Sequence, residues 1–189
     1  MYPIERNFLY MKCFSGKNFK RNVAAVLALF LLLCFDQYTK YLAVIHLKGQ
    51  DAFPLIDRIL EFSYLENTGA AFSSFAGRQT FLVLLTSVVI VVFIWKFLTL
   101  PLGKRFHGMR ICLLLIISGA VGNLVDRISN QYVVDFIYFV PIDFPKFNVA
   151  DIYITIGVAV LGVMLFFYYS DEEFETLLSI HHKADRTDV

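Results

Sequence analysis

The stretch MRICLLLIISGAVGNLVDR, residues 109–127, decides the fold class of this chain. It is an apolar run long enough to cross a bilayer, which takes about 20 residues of helix. Towards its end, Gly119, Gly122, Asn123 and Asp126 recur at i, i+3, i+4 and i+7, a spacing that places side chains on one helical face. Polar groups in a membrane helix are costly and are functional candidates. The stretch therefore predicts a membrane helix with a polar stripe near one end.

Three more apolar runs of similar length predict three further spans, at about residues 23–47, 80–100 and 150–169. The chain is 58% hydrophobic and 17% charged, whereas soluble domains are roughly half apolar and a quarter charged. The net charge of +1 does not favour a nucleic-acid-binding protein. We therefore expect an all-α membrane protein with four transmembrane helices. It would have an N-terminal extension at 1–22, a membrane domain at 23–169 and a tail at 170–189.

The distribution of lysine and arginine predicts the orientation of the spans. These residues are concentrated before the first span and in the loop between the second and third spans. Because cytoplasmic segments carry such an excess, both chain ends and that loop are predicted to be cytoplasmic. The segments 48–79 and 128–149 would then lie outside. Their runs 59–65 and 133–140 are rich in strand formers and predict a small outer sheet.

This topology brings two aspartates to the same depth. Asp126 ends the third span, which runs outward, and Asp151 begins the fourth, which runs inward. Two carboxylates in a partly dry site share one proton and titrate as a pair. The ionised member takes a proton from water while the other polarises a carbonyl, which is aspartic peptidase chemistry and needs no cofactor. Because His46 is the only histidine near this face, a Ser-His site is disfavoured.

Each polar position also has a structural interpretation. Asp36 and Lys40 are four residues apart and share a helix face, so they predict an ion pair that either locks helices together or supports the site. The glycine stripe suits either helix packing or the approach of a substrate backbone. Asn148 or Asp151 suits the cap of a helix. For the whole chain, the alternatives are an ion-coupled transporter and a scaffold protein. A transporter is disfavoured because the sequence shows no internal repeat.

The cysteines do not predict a covalent or metal framework. Cys13, Cys34 and Cys112 have no paired spacing, and Cys34 and Cys112 lie within apolar runs. Cysteine in such surroundings behaves as a small hydrophobic residue. We therefore expect neither a disulfide nor a metal site.

Five blocks of this sequence resemble, in order, motifs of the bacterial lipoprotein signal peptidases (signal peptidase II). They are Asp36-Gln37-Tyr38-Thr39-Lys40, Asn67-Thr68-Gly69-Ala70-Ala71-Phe72, Gly119-Ala120-Val121-Gly122-Asn123-Leu124-Val125-Asp126-Arg127, Val134-Asp135-Phe136 and Phe147-Asn148-Val149-Ala150-Asp151. The resemblance covers about residues 23–169. Ser118 departs from it by standing where a second glycine is common. The stretch 138–146 makes the spacing between the aspartates long and predicts an extended outer hairpin.

The resemblance implies an aspartic endopeptidase that removes signal peptides from prolipoproteins, cutting before the diacylglyceryl-modified lipobox cysteine, without a cofactor. It implies that Asp126 and Asp151 are the catalytic pair and that Asp135 stabilises the outer structure. The positions that it implies as supporting the site or contacting substrate are Asp36, Lys40, Asn67, Gly69, Gly119, Gly122, Asn123, Arg127, Asn148 and Ala150.

The resemblance also implies the surroundings of the enzyme. Its partners would be lipidated prolipoprotein signal peptides and membrane lipids, and we expect a monomer. The location would be the bacterial cytoplasmic (inner) membrane, with the site towards the outer leaflet. The segment 48–79 would form a small extracytoplasmic β-cradle with a mobile outer element.

Overall fold

A computed structural model describes residues 16–69, 78–101, 103–170 and 173 of the protein. This part contains four long helices. They are α1 (Gly16–Leu47), α2 (Gln79–Thr99), α3 (His107–Asn130) and α4 (Val149–Phe167). Each is long and apolar enough to cross a membrane. The four predicted spans are therefore confirmed.

The helix ends differ from the predicted ones where polar residues continue a helix. α1 begins at Gly16, well before the predicted start at residue 23, because lysine and arginine are good helix formers even outside an apolar run. The predicted extension 1–22 therefore contains the first turns of α1. α3 continues past Arg127 to Asn130 and ends where Gln131 adopts a left-handed conformation with φ 67°. Residues 1–15 and most of the predicted tail lie outside the described part.

A four-stranded antiparallel sheet joins the helices at one end of the bundle. Its strands are β1 (Phe53–Ile56), β2 (Leu60–Asn67), β3 (Val133–Phe139) and β4 (Phe144–Phe147), in the order β1-β2-β3-β4. The predicted small sheet is thus confirmed. β3 and β4 form a hairpin over the stretch 138–146, with Ile137 paired with Phe147. At the other end of β3, Val133 pairs with Asn67, which places the end of β2 beside the end of α3.

α3 is the central helix of the bundle. Most of its apolar stretch is buried, whereas the apolar stretches of the other three helices are largely exposed. It packs against α1, α2 and α4. Since the outer faces of those three helices are apolar and exposed, they are suited to lipid contact. The stripe of α3 therefore faces protein.

Glycines allow α3 and α4 to approach closely. A methyl group added at Gly119 would overlap the carbonyl oxygen of Ala150 and would lie 2.8 Å from Cγ1 of Ile154. A methyl group added at Gly157 of α4 would lie 2.7 Å from Cγ1 of Ile116. Membrane helices commonly use small residues in this way. At Gly119 the structure therefore favours helix packing over the approach of a substrate.

We expect Gly119→Ala to lower the free energy of unfolding by about 1–3 kcal/mol, because the added methyl group meets backbone that cannot rotate away. Thermal unfolding of the detergent-solubilised protein measures this change. Gly162→Ala is the matched control on α4, since no atom lies within 4 Å of a methyl group added there. Equal losses in both variants would contradict the packing argument.

Candidate active site

The two predicted carboxylates lie at the end of the bundle that carries the sheet. Asp126 is in the last turns of α3, which leads into β3, and Asp151 is in the first turn of α4, which follows β4. Asp126 is only 3% exposed, and Asp151 is half-buried. The structure thus places both side chains at one face, as the topology predicted.

Lys40 of α1 lies beside Asp126. Its Nζ atom is 2.9 Å from Oδ2 of Asp36 and 3.0 Å from Oδ2 of Asp126, and it donates to Oδ1 of Asn123 at 2.9 Å. An ammonium group has three donors, so all three are used. The predicted Asp36–Lys40 ion pair is confirmed. It also reaches the site, so the structural and the site-supporting interpretations both apply.

Asn123 bridges the two aspartates. Its Nδ2 atom donates to Oδ1 of Asp151 at 2.8 Å, while its Oδ1 atom accepts from Lys40. Asn148 also donates to Oδ1 of Asn123, at 3.3 Å. The carboxylates are therefore connected through one amide and one ammonium group.

The start of α4 carries a capping box. The Asn148 side chain accepts from the backbone N–H of Asp151 at 3.0 Å, and the Asp151 side chain accepts from that of Asn148 at 3.1 Å. Asp36 accepts from the backbone N–H of Ala150 at 2.9 Å. These bonds satisfy donors that a helix start leaves open. The capping interpretation is therefore confirmed, while Oδ1 of Asp151 still faces Asn123.

Gly122 makes room for Asp36 beside α3. A methyl group added at Gly122 would lie 2.5 Å from Oδ2 of Asp36. The buried carboxylate thus occupies the space that a side chain would fill. At this position too, the small residue serves contact between helices.

Gln37 also contacts Asp126, although the sequence did not single it out as a site residue. Its Nε2 atom lies 3.0 Å from Oδ1 of Asp126, 3.2 Å from Oδ2 of Asp36 and 3.2 Å from the carbonyl oxygen of Gly122. The available signal was its place in the Asp36 to Lys40 block.

Asp135 of β3 belongs to the same network. Its oxygens accept from Nδ2 of Asn67 at 2.8 Å and from Nδ2 of Asn148 at 2.7 Å, and the residue is 1% exposed. Burial, and after it the charge of Asp151, raises the pKa of Asp135 to about 7. Asp135 was expected to stabilise the outer structure, and the structure ties it to the start of α4 as well.

The raised pKa of Asp135 predicts a pH-dependent contribution to stability. Between its ordinary value of 3.8 and about 7, the folded protein holds a proton at this group that the unfolded chain releases. The contribution is therefore fully present below pH 3.8 and is lost as pH rises towards 7. We expect Asp135→Asn, which cannot titrate, to flatten this part of the curve of unfolding temperature against pH. Equal slopes in both proteins would contradict the assignment.

Arg127 connects the site to the end of β2. It donates to the carbonyl oxygen of Gly69 at 3.2 Å and to that of Asn123 at 3.4 Å. Asn67 accepts from the backbone N–H of Gly69 at 2.9 Å. The Nε atom of Arg127 is buried without a hydrogen-bond partner among the described residues. Ala70, Ala71 and Phe72 of the same predicted block lie outside the described part.

The structure brings the predicted site residues into one hydrogen-bonded network, except Gly119, which packs a turn away. Within residues 16–69, 78–101, 103–170 and 173, no group of three or more His, Cys, Asp or Glu side chains is placed to hold a metal ion. The network instead offers two carboxylates linked through the Asn123 amide and the Lys40 ammonium group, an arrangement that suits acid–base chemistry on a water molecule.

The fold and the site define a multi-pass membrane protein with buried carboxylates at one end of its bundle. The sequence model of Signal peptidase (SPase) II matches residues 28–167. Lipoprotein signal peptidases of Streptococcus pyogenes serotypes M5 and M18 are each 41% identical over 140 residues, 74% of this chain and 91% of theirs. The chain belongs to the signal peptidase II family, and it is a membrane peptidase.

Solved structures agree with this assignment. Two structures described as a bacterial membrane enzyme, solved by the in meso method at 2.3 and 1.9 Å, are each 31% identical to this chain. Their TM-scores are 0.66 and 0.67. They match 76% and 77% of this chain, and 87% and 94% of their own lengths. The four-helix architecture with its small sheet is thus shared with known membrane enzymes.

Proposed function

We propose that this protein removes signal peptides from prolipoproteins by aspartic peptidase chemistry, with Asp126 and Asp151 as the catalytic pair. The observation that carries the proposal is the bridge through Asn123, which joins Asp151 directly and Asp126 through Lys40. Family membership supplies the reaction class, and this geometry supports the choice of the two residues.

The reaction is a general acid–base hydrolysis. The ionised carboxylate takes a proton from water as the water oxygen attacks the scissile carbonyl carbon, and the protonated carboxyl donates to the carbonyl oxygen. Collapse of the tetrahedral intermediate then breaks the C–N bond. The carboxyl that took a proton from water donates it to the departing amine, and the other carboxylate takes back a proton from a hydroxyl group of the intermediate. No covalent enzyme intermediate is required.

The cleaved bond lies immediately before the diacylglyceryl-modified lipobox cysteine. Lipid tails held in the bilayer would fix the depth of this cysteine, and a dyad at the membrane surface would meet the bond at that depth. Such anchoring acts as a proximity effect.

The proposed setting is the bacterial cytoplasmic membrane, with both chain ends in the cytoplasm and the site towards the outer leaflet. The excess of lysine and arginine before α1 and between α2 and α3 supports this orientation.

The test is cleavage by the purified protein in proteoliposomes. A prolipoprotein is supplied with and without its diacylglyceryl group, and mass spectrometry identifies the new N-terminus. We expect cleavage before the lipidated cysteine and much slower cleavage of the unmodified substrate. Equal rates would contradict the anchoring argument, and no cleavage at all would contradict the proposed function.

A further inference from the structure

We infer that Gln37 is a positioning residue for this reaction, whose side-chain amide holds Asp126 in the orientation that activates water. The inference rests on the proposed function, because it assigns Gln37 a role towards one member of the catalytic pair. Gln37 acts through Asp126 and is not itself assigned a contact with substrate.

The Gln37 amide contacts both the carboxylate and the helical turn that carries it. Its Nε2 atom is 3.0 Å from Oδ1 of Asp126 and 3.2 Å from the carbonyl oxygen of Gly122. In an α-helix the carbonyl of residue 122 also accepts from the N–H of residue 126. One amide group therefore links the backbone turn of α3 to the side chain that projects from it, which restricts the rotation of that side chain.

The partners of Asp126 suit an ionised carboxylate. Oδ1 accepts from Gln37, and Oδ2 lies 3.0 Å from Nζ of Lys40 and 3.4 Å from the backbone N–H of Val134. These partners are all donors, and one carries a positive charge. Donors of this kind favour the charged form of a carboxyl group.

Asp151 has a different environment. Its oxygens accept from Nδ2 of Asn123 and from the backbone N–H of Asn148, which are both neutral donors. Asp151 is half-buried. The charge of Arg127 also acts on Asp151, but Asp126 is the member of the pair with a cation in direct contact, which suits it to take a proton from water.

Lys40 alone does not account for this asymmetry, because its ammonium group is shared between Asp36 and Asp126, at 2.9 and 3.0 Å. Gln37 adds a donor to Asp126 without adding a charge. The charged groups that face this point from α1, α3, β3 and α4 are Asp36, Lys40, Asp126, Arg127, Asp135 and Asp151. Of these charged groups, Gln37 contacts Asp36 and Asp126 directly.

The first test is Gln37→Met, which keeps the length of the side chain and removes the donor. We expect kcat to fall about 10- to 100-fold, with KM changed less than about threefold, because the loss affects the water-activating group. We also expect the acid limb of the pH profile of kcat/KM to move up by about one unit, since a hydrogen bond to a charged group shifts ionisation by roughly that amount. Gln50→Met is the matched control at an exposed glutamine.

The second test is Gln37→Glu, which separates a donor role from a packing role. A protonated glutamic acid can donate to Asp126, whereas its ionised form repels Asp126 and Asp36. We therefore expect activity to approach wild type at acidic pH and to fall as pH rises, which gives the profile a new descending limb. A residue that serves only packing would lower the rate equally at all pH values.

Three results would overturn the inference. They are wild-type kcat in Gln37→Met, an unmoved acid limb in that variant, and a Gln37→Glu profile parallel to wild type. Each variant is compared at equal folded concentration, checked by thermal unfolding. Failure of the proposed function is distinguishable, because the wild-type protein itself would then not cleave a lipidated prolipoprotein.

Discussion

Replacing Asp126 or Asp151 by asparagine is expected to reduce kcat by about 10³-fold or more, because an amide can neither take a proton from water nor deliver one to a leaving group. The protein should remain folded. In Asp126→Asn, Lys40 keeps Asp36 as its partner at 2.9 Å. In Asp151→Asn, the amide oxygen still accepts a hydrogen bond at the start of α4. Single-turnover cleavage in proteoliposomes measures the loss.

Asp57→Asn is the matched control for these two variants. Asp57 lies in the exposed turn between β1 and β2, where its side chain is 87% exposed and 3.8 Å from Arg58. The chemical change is the same, but it lies away from the network, so the wild-type rate is expected. Retained cleavage in folded Asp126→Asn or Asp151→Asn would remove that residue from the catalytic pair.

Lys40→Met is expected to lower the free energy of unfolding by about 3–5 kcal/mol, because it leaves buried carboxylates without their cation. Lys40 is 3% exposed, and it faces Asp36 at 2.9 Å and Asp126 at 3.0 Å. The variant should also lose most of its activity, since one of those carboxyls would then take up a proton. Chemical unfolding in detergent and cleavage assays measure the two effects.

Two comparisons distinguish this electrostatic explanation from lost packing. Lys48→Met removes an exposed ion pair with Glu66 just after the end of α1 and should leave stability close to wild type. The double variant Lys40→Met/Asp36→Asn removes a charge together with its partner, so it should recover part of the lost stability. No recovery, or an equal loss in Lys48→Met, would contradict the explanation.

The spans were predictable because a bilayer requires long apolar runs, and any such run stands out in the sequence. The start of α1 was not predictable in this way. Hydropathy reports the membrane-embedded turns, whereas Lys20 and Arg21 lie in helical turns with polar side chains. The strands of the sheet were predictable from their β-branched and aromatic residues. Their pairing order was not, because pairing depends on contacts distant in sequence.

The same distinction between local and distant contacts applies to the site. The Asp36–Lys40 pair follows from a separation of four residues on one helix. The contact of Lys40 with Asp126 depends on how α1 is rotated against α3, which no local pattern records. Gln37 escaped notice for this reason, since its partners lie on α3. The resemblance implied for Asp135 only a role in the outer structure. Its hydrogen bond with Asn148 joins two separate elements of the fold, so no local pattern predicts it.

The capping box at the start of α4 affects how readily resistance to inhibitors of this protein could arise. Asp151 is both a proposed catalytic group and the residue that closes the box with Asn148. An inhibitor that binds the side chains of Asp151 and Asn123 would therefore contact a residue, Asp151, that is needed both for the proposed reaction and for capping α4. A substitution that weakens its binding there would also weaken the helix start, by about 1 kcal/mol for a lost cap. Resistance through these positions should carry a fitness cost.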